Sequence, residues 1–169
     1  MNFESRYISA AYFRNFVFGV EDSLVSTVGL LSGIAIAGMD PRAIFITGTV
    51  LVFVEAFSMA AGSFLSERSA VEYMRQGEAS FKHPFLGGIV MFFSYFVSGF
   101  IPLFPYLVFP VAMAFWVSVV LSLAALFGLG VIGARISDIS VVRSGLRMLI
   151  IGGVAIALGI TVGSLIKVI

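Results

Sequence analysis

Long apolar runs set apart by short charged clusters dominate this chain. Between Asp22 and Asp40 lie 17 uncharged residues, and between Arg42 and Glu67 lie 24, interrupted only by Glu55. Residues 84–134 carry no formal charge over 51 positions, and 19 uncharged residues separate Arg147 from Lys167. A helix needs about 20 apolar residues to cross the hydrocarbon core of a bilayer, so the three simpler runs each predict one helix. The run of 51 predicts two, broken at residues 101–110 where Pro102, Pro105 and Pro110 cluster and a helix interior cannot continue. The expected spans are residues 16–38, 43–66, 84–104, 110–133 and 146–168. Asp40 followed by Pro41 reads as an N-cap with proline in the first turn, and Pro84 opens the third helix in the same way.

Composition removes the soluble alternative. Of 169 residues, 60% are hydrophobic and 11% charged, and mean hydropathy is +1.10. A soluble fold of this size has no means of hiding so much apolar surface. The expected class is therefore all-α, one polytopic membrane domain of five helices over residues 1–169. A net charge of +1 gives no basic field for nucleic acid. The absence of cysteine excludes disulfides and thiolate metal sites, and a single histidine, His83, argues against a hydrolytic triad. With no recognisable nucleophile and base pair, an enzyme is not expected. No leader pattern is read at the N-terminus, where Glu4 precedes the first basic residue.

Orientation follows from the cations. Arg6, Arg14, Arg68, Arg75, Lys82, Arg135, Arg143 and Arg147 fall on one side of a five-span topology, and only Arg42 and Lys167 on the other. The positive-inside rule then places the N-terminus in the cytoplasm. Five spans in so short a chain argue against an internal duplication, so a symmetric pathway would need two chains. Small residues recur every four positions at Gly29, Gly33 and Ala37, and again at Ala155, Gly159 and Gly163. Either stripe suits close helix approach, within one chain or between two.

Glu55 is the thirteenth of its 24 residues and hence sits near mid-bilayer. A carboxylate at that depth costs about 2.5–3.5 kcal/mol on insertion scales, so it must meet protein, water or a cation, or carry a proton. Met59 and Ser63 follow at i+4 and i+8 on the same helix face. A soft thioether beside a hard carboxylate suits first-row transition ions ahead of magnesium or calcium. Glu21 and Asp22 sit one to two turns into the first helix. Asp22 is about 9 Å inside its helix and Met59 about 10 Å, so antiparallel neighbours would bring them level, with Glu55 one turn deeper. Ser26 adds an oxygen one turn along from Asp22. The polar stretch 67–83 holds Glu67, Glu72 and Glu78 among Arg68, Arg75 and Lys82. It reads as a solvated charged face or as a weak cytoplasmic capture site for cations. His83 reads as an interfacial polar residue and Trp116 as an anchor or packing residue. On these residues alone a non-transporting packing or regulatory subunit and a small cationic-compound/proton antiporter stand beside a metal carrier.

The residues also carry a likeness. Residues 21–33, Glu-Asp-Ser-Leu-Val-Ser-Thr-Val-Gly-Leu-Leu-Ser-Gly, resemble the Asp-Gly-Leu-Val-Ser-Thr segment of the vacuolar iron transporter family. Residues 55–66, Glu-Ala-Phe-Ser-Met-Ala-Ala-Gly-Ser-Phe-Leu-Ser, resemble its Ser-Met-x-x-Gly-x-Tyr/Phe-x-Ser signature. The proline-ended segment 94–106 and the segment 145–153 are similar to its third and fifth helices, so the likeness covers nearly the whole chain. It implies a five-helix homodimer that moves Fe2+, and often Mn2+, out of the cytosol in exchange for protons, with metal as substrate and no resident cofactor. The family's membrane aspartate and methionine fall on Asp22 and Met59. Ser23 stands in place of a glycine, Ser63 where many short members carry glutamate, and Glu55 becomes the substitute acid. Only residues 67–83 join the second and third helices, so the large cytoplasmic metal-binding domain has no counterpart. That resembles the short nodulin-like and prokaryotic members and points to a prokaryotic plasma membrane ahead of a vacuolar one.

Overall fold

A computed structural model describes residues 3–78 and 80–168, with side chains for residues 7–78 and 80–167. Glu4 and Arg6, read above for the leader and for orientation, lie outside the described side chains. Six helices follow in order: α1 Phe3–Ile36, α2 Pro41–Arg75, α3 Lys82–Leu103, the single turn α4 Pro105–Val108, α5 Val111–Ile136 and α6 Val141–Val168. Among the described residues all but α4 are long and apolar enough to cross a bilayer. The five expected spans are therefore present, and no strand occurs among the described residues.

The helix ends differ from expectation in an informative way. Both α1 and α2 run well past their apolar runs, to Phe3 and to Arg75. Charge marks where lipid ends, whereas a helix ends where its backbone is capped or sterically stopped. Asp40 does cap α2: its carboxylate accepts from the Arg42 and Ala43 amides at 3.0 and 3.1 Å, with Pro41 behind it. At the far end Gln76 adopts φ 50, the left-handed turn that stops α2. Much of the stretch 67–83 is thus helix, and only residues 76–81 connect α2 to α3. Pro102 sits inside the last turn of α3, and the Ser118 hydroxyl of α5 donates to its carbonyl at 2.7 Å.

Helix α1 is the centre of the bundle, packed on α3, α6, α5 and α2. The two small-residue stripes meet each other here. A methyl added to Gly33 would lie 2.8 Å from the Gly159 carbonyl oxygen, and methyls on Gly159 and Gly163 would run into the Gly29 and Gly33 carbonyls. Both stripes are consumed by contact within the chain. Two apolar clusters complete the core, one around Leu31, Ile44, Leu103, Tyr106 and Ala114, the other around Val28, Phe115, Val119 and Ile156. The outer surface is apolar as lipid requires, with Phe57, Phe93, Val120 and Ile150 among its exposed residues and Trp116 67% exposed.

Candidate functional site in the α1–α2–α3 wedge

Helix α3 is the support on which the polar residues are arranged. Its Gly88 lets the α2 backbone approach, since an added methyl would sit 2.9 Å from the Ala60 carbonyl oxygen. On the α1 side, the buried Ser23 hydroxyl donates to the Tyr95 carbonyl at 2.6 Å. The serine that replaces a family glycine thereby gains a specific partner on α3. Tyr95 itself is fully buried, and its hydroxyl shares a 2.7 Å hydrogen bond with Ser26.

Asp22 and Glu55 lie within electrostatic reach of each other, and both act on the Tyr95 hydroxyl. Each carboxylate is half-buried. Asp22 stands on α1 and Glu55 on α2, and α3 packs against both helices. Depth alone sets Asp22 level with Met59 and Glu55 one turn deeper; the electrostatic contact in the structure is between Asp22 and Glu55. Tyr95 went unread in the sequence; its signal was a lone tyrosine in the phenylalanine-rich stretch 92–100, because a buried phenol needs a hydrogen-bond partner.

Next to the pair a cleft of about 890 Å3 opens between α1 and α2. Glu21 and Arg14 line it from α1, Met59 and Ser63 from α2, and Met91 from α3. Met59 is therefore placed with Glu21 along the cleft, and a second thioether, Met91, faces the same space. Ser58, Gly62 and Ser66 form an exposed small and polar stripe on α2 beside it. Among the described residues no three His, Asp or Glu side chains converge in one chain. One chain thus offers a carboxylate pair with thioethers and hydroxyls in the neighbouring cleft.

The three glutamates at the α2 end part company. Glu72 lies on the helix surface and pairs with Arg68 at 2.8 Å, and Glu78 is exposed beyond the helix end. Glu67 is different: it turns inward and is only 7% exposed. His83, placed by sequence at an interface, shares a 3.2 Å hydrogen bond with the Tyr12 hydroxyl and ties the start of α3 to α1.

Comparison with known proteins agrees with this architecture. A sequence model of the VIT family matches residues 13–83 and 72–164. Two rice (Oryza sativa subsp. japonica) proteins are similar along most of their length. Vacuolar iron transporter homolog 1 is 30% identical over 171 residues, covering 88% of this chain and 71% of the rice protein. Vacuolar iron transporter homolog 5 is 31% identical over 167 residues, covering 91% and 79%.

Proposed function

Because this chain belongs to the VIT family, we propose that it is a multi-pass carrier that moves a divalent transition-metal ion, Fe2+ or Mn2+, out of the cytosol in exchange for protons. The observation that supports this reading best is the Asp22–Glu55 pair, two half-buried carboxylates on helices otherwise built for lipid. Acids at such depth are costly, and a visiting cation offsets that cost. The names of the rice relatives point the same way, to iron as cargo.

Met59, with Met91 across the cleft, adds soft donors to hard ones, the mixture suited to first-row ions. Glu21 and Ser63 line the approach, and Ser26 holds the Tyr95 hydroxyl beside the acids. Glu72 and Glu78 sit on the exposed rim, where they raise the local concentration of cations. Carboxylates bind metal only when deprotonated, so metal and proton compete for the same oxygens. When the ion leaves, Asp22 and Glu55 face each other, and a proton taken up by Glu55 removes their repulsion. That exchange is the coupling step.

A homodimer completes the site. In one chain the shell is unfinished, and the exposed stripe Ser58–Gly62–Ser66 beside a half-exposed Glu55 is poorly matched to lipid. A second copy across this face covers the stripe and supplies matching ligands. The small-residue stripes of α1 and α6 are already used within the chain, which leaves α2 as the contact. Metal carriage of this kind is transport and not catalysis.

The test is Mn2+ and Fe2+ flux into proteoliposomes under an imposed pH gradient. Asp22→Asn and Met59→Ala are each expected to lower flux by about tenfold or more, as removal of a metal ligand does. Unchanged metal flux in both variants, or no metal flux alongside efflux of an organic cation, refutes the assignment.

A further inference from the structure

The polar face of α2 does not stop at Ser63. Glu55, Met59, Ser63 and Glu67 fall at successive i+4 positions, so one stripe runs for about 18 Å with an acid at each end. The outer acid is the more deeply buried of the two. Glu67 is 7% exposed, and its Oε2 has no hydrogen-bond partner. Among the described residues no Lys, Arg or His nitrogen pairs with it.

Two further groups beside it are also unsatisfied. Asn15 of α1 is 2% exposed and its Nδ2 has no partner, and the Ser63 Oγ has none. Asn15 and Glu67 are aimed at one spot: a methyl added to Gly87 of α3 would meet Asn15 Nδ2 at 2.8 Å and Glu67 Oε2 at 2.9 Å. Three helices thus bring an amide, a carboxylate and bare backbone to one spot. It is not sealed off, because Asn15 and Ser63 also line the cleft that leads to Met59 and Glu21.

An isolated buried carboxylate is costly, and so is a buried amide with nothing to bond. Their convergence sets polar groups of α1 and α2 toward each other with no protein partner for either. Turning the Asn15 amide exchanges its donor for its carbonyl oxygen, which gives three oxygen ligands: Glu67 carboxylate, Asn15 Oδ1 and Ser63 Oγ. We propose that Glu67, Asn15 and Ser63 form a second cation site, an all-oxygen station that holds a partly hydrated divalent ion before it reaches the sulfur-containing pair site. The donor set is harder than the inner one, so the station admits divalent ions broadly and leaves selection to Met59. Its place in the order of transport rests on the carrier reading and on a cytoplasmic N-terminus; its existence as a binding site does not.

The experiment separates the two. The full chain in nanodiscs is titrated with Mn2+, and free ion is followed by its electron paramagnetic resonance signal. In an Asp22→Asn, Glu55→Gln, Met59→Leu background, Mn2+ binding is expected to persist. Adding the isosteric Glu67→Gln is expected to weaken that binding by about tenfold or more, since the one charged ligand is lost. Gly87→Ala, whose methyl would press on both the Asn15 amide and the Glu67 carboxylate, is expected to weaken it as well. In proteoliposomes, Glu67→Gln alone is expected to raise KM about tenfold with kcat within about twofold. No binding in the dismantled background, or binding indifferent to Glu67→Gln in correctly folded protein, overturns the station. Absence of flux in the unmodified protein counts against the carrier reading alone, since the resonance titration still decides the site.

Discussion

Replacing Gly159 by alanine is the most sharply graded perturbation the fold offers. An added methyl at Gly159 would penetrate the Gly29 carbonyl oxygen of α1, and one at Gly163 would penetrate that of Gly33. At Gly33 the contact would be 2.8 Å, and at Gly29 only 3.3 Å, to the Ala155 carbonyl. Backbone oxygens cannot swing aside as side chains do, so α1 and α6 must separate to admit the methyl. Overpacking of this kind costs about 1–3 kcal/mol. For a chain of this size that lowers the melting temperature by roughly 2–4 °C per kcal/mol. Gly153, on the same helix, has nothing within 4 Å of an added methyl and is exposed. Gly153→Ala therefore gains up to about 1 kcal/mol of helix propensity and supplies the control. The assay is thermal unfolding in detergent micelles, read by circular dichroism. The expected order of destabilisation is Gly159 and Gly163 above Gly33, with Gly29 close to unmodified protein. If Gly159→Ala melts with Gly153→Ala, the α1–α6 contact is misplaced and the α6 stripe becomes free to pair between chains.

Tyr95→Phe removes the phenol that Ser26 shares and that borders the two acids. It should cost about 1–2 kcal/mol in detergent unfolding and lower Mn2+ flux several-fold. Undiminished flux places Tyr95 in the packing only. Asp40→Ala deletes two hydrogen bonds to the first turn of α2 and should cost about 1 kcal/mol with flux retained. Because ligand carboxylates must be ionised to accept metal, flux should fall as the loading-side pH drops from about 7 to about 5. Glu55→Gln should flatten that profile; an unaltered profile in the variant assigns the coupling elsewhere.

The sequence disclosed what lipid imposes and concealed what neighbouring helices decide. The five spans were legible because charge is excluded from the hydrocarbon, and Asp40 because capping is local. Depth was legible, since rise per residue is fixed, but it set Asp22 level with Met59 and Glu55 a turn deeper, and which helix lies against both α1 and α2 was not. Tyr95 stayed hidden because its role depends on the face that α3 turns to α1. The burial of Glu67 was hidden for the same reason. It stands in a run of charged residues that resembles a wet surface, and only the face of α2 it occupies, with Gly87 of α3 opposite, buries it. The reach of α1 and α2 beyond their apolar cores was equally invisible, because polar helical turns carry no hydrophobic signal. Departure of Ser23 from the family glycine became intelligible only with its bond to the Tyr95 carbonyl.

The central claim is that a divalent ion rests where α1 and α2 bring Asp22, Glu55 and Met59 around α3. Anomalous diffraction from crystals soaked in Mn2+, collected above and below the manganese edge, addresses it without recourse to transport. The account predicts a peak beside Asp22 and Glu55, within ligand distance of their carboxylate oxygens and on the Met59 side of the wedge, that vanishes in Asp22→Asn/Glu55→Gln protein. A wedge that stays empty while manganese binds elsewhere, or a peak indifferent to the double substitution, contradicts it.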